Sequence, residues 1–397
     1  MIETLARCHL QLPADRRLDV EFFSEGAFNK LYTVAVSDDD GNPGHPRYIF
    51  RATAPVEPFN KTASEAATLS YLREYTSIPV PYVIAYSATA ETELGCEWIL
   101  MERVPGVALE DIWSEVDLEV KSRVTRSIAG FLGQLRDVRR CFNAIGNLYL
   151  RGDIGASNAT AHVVPTKDEK YVVGPIVTPY MFAGGRKLRV SRNLGPYSND
   201  AEYIAALTAA ETEEMKLLLS ADAHLHDDFD EDLAEDAEDV IEVLGELQAI
   251  STTLFPSRPR HFGLLHHDLS LANVLVDPKT HVITAIVDWE CVGTRPHWED
   301  TYPLFLSGPD IYKEVEPLAP GDTDELRVEC WENWEKTKLR SVFDQELGKA
   351  RRIHDRGDAV RLDFRQQLDW VDISHMRVKN WMREYNERCA QVEQEMA

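Results

Sequence analysis

The chain has 397 residues, 44% hydrophobic and 27% charged, a composition that predicts a packed core and excludes general disorder. Its 42 basic and 67 acidic side chains leave a net charge of -25, which repels phosphate backbones and anionic lipid, so nucleic acid and membrane surfaces are not expected partners. An acidic cleft would favour a cationic small molecule instead.

Residues 20–36, VEFFSEGAFNKLYTVAV, read as a strand, a glycine-containing turn and a second strand. The turn formers of 38–46 make a loop, and RYIFRA, 47–52, a third strand. A helix is predicted over 62–75, opened by a capping signal, and two further strands over 81–88 and 96–102. These elements make a small, mostly antiparallel α+β lobe over 1–103, which Val104-Pro105-Gly106 punctuates as a hinge.

From 104 to 397 a larger, mostly helical lobe is expected. Val124, Ile128, Phe131, Leu132 and Leu135 form the inward stripe of a helical stretch over about 109–138. Residues 143–200 are rich in Gly, Pro, Asn and Thr, with short strand-like pieces such as YVVGPIV. The acidic stretch 211–250 regains helical periodicity through Val240, Leu244 and Leu247, and its acidic middle reads as a solvated helix face or loop. Together they suggest an inserted region over about 143–235. Beyond 300 the chain is Trp-rich and helical.

Six scattered cysteines (Cys8, Cys96, Cys141, Cys291, Cys330 and Cys389), without a CxxC pair, fit a reducing compartment rather than a disulfide framework or a structural zinc site. The N-terminus lacks the apolar core of a signal peptide, so the cytoplasm is expected; its three arginines leave the mitochondrion as a second location. The sequon at Asn158-Ala159-Thr160 reads as a chance match. No apolar run approaches the ~20 residues of a bilayer span.

The chemistry concentrates in HHDLSLANVLVD, 266–277, and AIVDWE, 285–290. The apolar runs around Val274–Val276 and before Asp288 flank the turn signal DPKT, 277–280. Folded as a hairpin over about 262–292, they bring Asn273 and Asp288 to one end, with Asp268 just upstream. A carboxamide and a carboxylate suit a hard cation such as Mg2+, leaving Asp268 as a base toward a hydroxyl. Each residue alone is more readily a turn former or strand end; together, their spacing and the hairpin favour a site. A transition-metal reading of His266, His267 and Asp268 is disfavoured, because adjacent histidines diverge and no third ligand stands at metal spacing.

These two segments resemble the HxDxxxxN and (I/V)DW(E) signatures of the aminoglycoside phosphotransferase and choline kinase-like family, relatives of the protein kinases. The resemblance implies a two-lobed, protein-kinase-like α+β fold, with ATP or GTP and Mg2+ as cofactors. It implies Asp268 as catalytic base, Asn273 and Asp288 as magnesium ligands, and His266 as the orienting loop histidine. Gly26-Ala27-Phe28-Asn29 fits the family's GxxN, which makes Ser24, Gly26, Phe28, Asn29 and Lys30 a nucleotide-covering loop.

Arg51 stands where these kinases place a strand lysine, a departure that keeps the charge on a wider planar fork. Glu65 would be its helix partner, or would cap its own helix within Thr62-Ala63-Ser64-Glu65. Lys61 and Lys30 are open as replacements for the lysine. The backbone near Glu102 to Val104 would pair with the nucleobase. Glu290, Asp300 and Trp298, with Trp331 and Trp334, are candidates for gripping a cationic acceptor. The expected reaction is transfer of the γ-phosphate to a small-molecule hydroxyl. The rival is a pseudokinase that binds nucleotide or serves as a scaffold. A protein kinase proper is disfavoured, since no APE-like segment follows VDWE.

Overall fold

The first predicted strands, short runs of apolar and β-branched residues, form one antiparallel sheet in the computed structural model, which describes all residues except 38–43, 138–141, 155–161, 164–168, 183–188, 221–222, 226–228, 256, 258–260, 319–320, 322, 349–355 and 397. Cys141, the sequon at Asn158, most of the loop over 38–46 and part of the acidic stretch lie outside the described residues. The chain opens with a helix that the sequence reading did not include, α1 (Ile2–His9), whose Ala6 packs on the sheet. Then come β1 (Leu18–Glu25), β2 (Asn29–Val36), β3 (Pro46–Thr53), α2 (Asn60–Tyr75), β4 (Val83–Ser87) and β5 (Glu97–Glu102). The sheet order is β1-β2-β3-β5-β4, with every neighbouring pair antiparallel.

Helix α2 starts at Asn60, two residues before the expected cap, and Phe59 at its N-cap offers no side-chain bond. The capping-box reading of Glu65 is therefore corrected: the residue lies in the second turn. Every residue from Lys61 to Leu69 is buried. A helix buried this completely must approach its neighbours closely on more than one side, which explains its run of Ala, Ser and Thr.

A two-residue strand β6 (Val107–Ala108) leads into α3 (Leu109–Ile112) and α4 (Leu118–Leu135), which Asp117 caps by accepting from Val120 N at 2.8 Å. Of the expected stripe, Val124, Ile128, Leu132 and Leu135 are buried and Phe131 is partly so. Next come β7 (Gly146–Leu150), α5 (Arg151–Ile154), β8 (His162–Val163), β9 (Tyr171–Gly174), α6 (Pro179–Phe182), α7 (Asp200–Leu218) and α8 (Glu231–Leu254). The strand-like piece YVVGPIV thus begins with β9, and the same stretch supplies two further short strands, β7 and β8. Helix α7 starts before the predicted helical stretch, capped by Asn199. The periodic residues Val240, Leu244 and Leu247 of α8 are all buried.

The catalytic candidates follow in β10 (Gly263–Leu265), β11 (Val274–Val276), β12 (Ile283–Ile286) and β13 (Gly293–Arg295). Strands β12-β11-β6 form a three-stranded sheet, and β10-β13-β7-β9-β8 a second five-stranded one. Helices α9 (Glu325–Leu347), α10 (Arg356–Trp370) and α11 (His375–Met396) complete the larger lobe. One core gathers α2, α4, α9 and the hairpin around Leu72, Ile128, Ile286, Trp289 and Phe343. A second joins α7, α8, α10 and α11 around Leu207, Leu244, Trp298 and Phe364. The expected α+β, two-lobed architecture is present. Among the described residues no helix is long and apolar enough to cross a membrane.

Candidate active site

The hairpin register sets the site. Val274 pairs with Ile286, and Val287 N donates to Asn273 O at 2.9 Å, so Asn273 and Asp288 reach the same end. Asp277 closes the other end by accepting from the amides of Lys279 and Thr280 at 3.0 and 2.7 Å, an Asx turn that these residue types favour. A 3-10 turn over Leu271–Asn273 carries the chain from Asp268 into β11. Asn273 Nδ2 donates to Asp268 O at 2.8 Å and lies 3.5 Å from Asp268 Oδ2. The amide nitrogen is thereby occupied.

Asp288 follows β12 with φ at 61°, in the left-handed region that Asp tolerates better than most side chains. The bend sends Trp289 into the core, where its indole donates to Ile286 O at 2.8 Å. Burial, then Glu290 and Glu65, push the Asp288 carboxyl up to about 7, against the pull of Arg51 and Lys61. This carboxyl lies where added positive charge is favoured. His266 is buried, its ring edge on Trp289 at 4.8 Å and its Nε2 3.4 Å from Val287 O. Burial lowers its pKa to about 3, so the ring is neutral. A carbonyl only accepts, which assigns the proton to Nε2.

Arg51 and Glu65 form a buried two-point pair between β3 and α2: Nη1 donates to Oε1 at 2.8 Å, and Nη2 meets Oε2. Burial works to lower the guanidinium pKa, and Glu65 with Glu290 more than reverses it. Arg51 Nε is buried without a hydrogen-bond partner. Lys61, one helical turn before Glu65, is 1% exposed. Its Nζ lies 2.5 Å from Glu290 Oε2 and donates to Asn29 Oδ1 at 3.1 Å, while Asn29 Nδ2 donates to the same Glu290 oxygen at 2.7 Å. Burial disfavours the ionised Glu290, and Lys61 and Arg51 prevail to lower its pKa.

Between β1 and β2, Gly26 N donates to Asn29 O at 2.9 Å. Phe28 turns inward onto Phe182 at 5.4 Å, and its carbonyl accepts from Ala54 N at 2.8 Å. Ser24 lies just past a bulge in β1, and Lys30 pairs with Glu25 at the exposed strand end, away from Lys61. At the hinge, Glu102 N donates to Tyr82 O and Arg103 N to Arg47 O. No such bond engages Val104 N among the described residues.

The acceptor-gripping candidates are corrected. Trp298 is 1% exposed and donates to Asp200 Oδ2 at 3.1 Å, so it has no surface to offer a ligand. Asp300 is half-buried and paired with Arg136. Glu290 is committed to Lys61 and Asn29. Trp334 is also buried, and the Trp331 ring lies tilted against it at 4.8 Å on α9. Sequence reasoning missed Asn147, a fully buried amide whose Nδ2 donates to Val292 O at 2.9 Å and whose Oδ1 accepts from Val177 N at 2.9 Å. Its one local signal is a polar residue inside an otherwise apolar strand.

The chain matches the model of the family described as "Phosphotransferase enzyme family" over residues 19–316. A subtelomeric hrmA-associated cluster protein of Aspergillus fumigatus is 27% identical, over 83% of this chain and 68% of that protein. The altered inheritance of mitochondria protein 9, mitochondrial, of Clavispora lusitaniae is 27% identical over 82% of this chain and 57% of its own length. The chain thus spans little more than half of that second relative. A solved gentamicin complex of APH(2")-IIa is similar with a TM-score of 0.45 at 12% identity, covering 96% of this chain and 92% of that one.

Proposed function

The chain belongs to the phosphotransferase enzyme family, and on that premise we propose that it is a magnesium-dependent small-molecule kinase, moving the γ-phosphate of ATP or GTP to a hydroxyl. The observation that carries this reading is the hairpin end, where Asp268, Asn273 and Asp288 meet through the bond from Asn273 to Asp268 and the Val274–Ile286 register. Asp268 takes the acceptor proton as the acceptor oxygen forms its bond to γ-phosphorus, and the bridging oxygen leaves with the nucleoside diphosphate. Asn273 Oδ1 and the Asp288 carboxylate are hard oxygen donors, and the raised pKa of Asp288 marks a place suited to a cation. Mg2+ held there would neutralise charge on the phosphates. Arg51, fixed in orientation by Glu65, brings its positive charge to the phosphate side of the site. Gly26 to Lys30 cover the phosphates, and Glu102 to Val104 meet the nucleobase.

The acceptor is a small molecule, and a cationic one suits a chain of net charge -25. Two locations fit this reading, the cytoplasm and the mitochondrion; the printed name of the Clavispora relative supports the second. The test is a screen of amino-alcohols, aminoglycosides and sugars for phosphorylation with ATP and with GTP, using Asp268→Asn as the blank. Turnover should fall by roughly two to four orders of magnitude in the blank while nucleotide binding persists. Equal product from both proteins would sink the assignment of Asp268. Nucleotide binding without turnover of any acceptor would favour the scaffold reading.

A further inference from the structure

We propose that Lys61, Glu290 and Asn29 form a latch that holds the loop between β1 and β2 down onto the Asp288-bearing segment, so that the nucleotide meets a loop already closed. This rests on the phosphotransferase reading above. Three parts of the chain meet at one buried ammonium: α2 through Lys61, the loop through Asn29, and the segment after β12 through Glu290. The side chains of Lys61 and Glu290 are only 1% and 15% exposed, so the pair is shielded from solvent and salt. Asn29 bonds both ends of the pair, accepting from Lys61 and donating to Glu290, which closes the triad on itself.

The ring of Phe28 extends the same attachment. It lies under the Lys61 ammonium at 5.9 Å and packs on Phe182, in a cluster that includes Cys291. The loop is therefore tied at two consecutive residues: Asn29 to Glu290, and Phe28 to the cluster that holds the next residue, Cys291. Gly26, by contrast, has nothing within 4 Å of where a Cβ would stand. The tip is thus open and exposed, while its base is fixed. A pre-closed loop spares the ordering cost of binding, so the latch acts on nucleotide affinity and leaves the proton transfer at Asp268 alone. Glu290 and Lys61 are positioning residues in this scheme. The second cation of the site, Lys61, thus serves the loop, while Arg51 pairs with Glu65.

Asn29→Ala removes the tether without leaving a charge unpaired, so it decides the matter even where Lys61→Met fails to fold. Mg-ATP and Mg-GTP binding by calorimetry, KM and kcat, and hydrogen exchange are measured on the full chain. The expected result is an affinity loss of about tenfold, carried by KM with kcat little changed. Exchange at Gly26 and Ala54, whose amides are bonded across the loop, should accelerate, with β4 and β5 unaffected. Lys61→Arg should recover part of the affinity lost in Lys61→Met. Asn29→Ala combined with Glu290→Gln should lose no more than the worse single variant. Unchanged affinity in Asn29→Ala, or losses that multiply in the double variant, would overturn the latch. A wild-type protein that binds neither nucleotide would overturn the phosphotransferase reading itself.

Discussion

Asp288 shows how one carboxyl is tuned by its neighbours. Burial and the nearby Glu290 and Glu65 raise its pKa to about 7, while Arg51 and Lys61 hold it from rising further. Its unfolded value is about 3.9, so the folded state keeps the proton longer than the unfolded one. Stability of the metal-free protein from this group should therefore fall as pH rises from about 4 to about 7, and level off above that. A divalent cation takes only the carboxylate and competes with the proton. Magnesium affinity should weaken by up to about tenfold per pH unit below about 7 and be constant above it. Magnesium titrations of the thermal midpoint near pH 6 and near pH 8 check this, with Asp288→Asn as the variant in which the contrast disappears. Equal magnesium response at the two pH values would refute the assignment. His266 shifts the other way: burial lowers its pKa, and it stays neutral throughout this window.

The elements differ in how much depends on single backbone positions. Gly106, between β5 and β6, has φ at +135°, and a Cβ there would come within 2.7 Å of Thr284 Oγ1 and 2.8 Å of Val276 O. Val276 is the residue that pairs with Val107, so the intrusion falls on the joint between hinge and hairpin. Gly106→Ala should cost about 1–3 kcal/mol of stability, read from the denaturant midpoint. Gly26→Ala should cost less than about 1 kcal/mol, since its φ is ordinary and its surroundings are open. Comparable losses at both glycines would contradict this account. The first sheet and the hairpin were legible in the sequence because their strands are short runs of apolar, β-branched and aromatic residues with Gly, Asn, Asp and Pro close by. Strands β7 and β13 were not legible. They are five and three residues long and pair across 146 positions, Asn147 with Gly293, so no local pattern announces either. The pairing of Arg51 with Glu65 was one of two open readings, and it prevails because α2 begins two residues earlier than its cap signal suggested.

On the scale of the whole molecule, the region read as an elaboration is built into the frame of the site. Strand β7 runs beside β13, which starts five residues after Asp288, and β9 and β8 extend that sheet. The same logic explains why Trp298 and Asp300 are not cleft residues: they follow β13 directly into the second core, where an indole and a carboxylate pair with Asp200 and Arg136. Asn147 fastens the arrangement. Its amide joins Val292, just past the metal-ligand candidate, to Val177 before α6, and it is fully buried. Replacing it with Ala leaves a buried carbonyl and a buried N–H without their partners, at about 1–3 kcal/mol each. Asn147→Ala should lower stability by about 2–6 kcal/mol by denaturant unfolding and weaken Mg-nucleotide binding, although the residue lies outside the candidate site. Asn147→Leu keeps the volume and should lose as much, because the missing hydrogen bonds set the cost and not the cavity. If Leu restored wild-type stability, the residue would be a space filler, and the link from the inserted strands to the site would have to run through Arg295, whose guanidinium donates to Gly146 O at 3.1 Å.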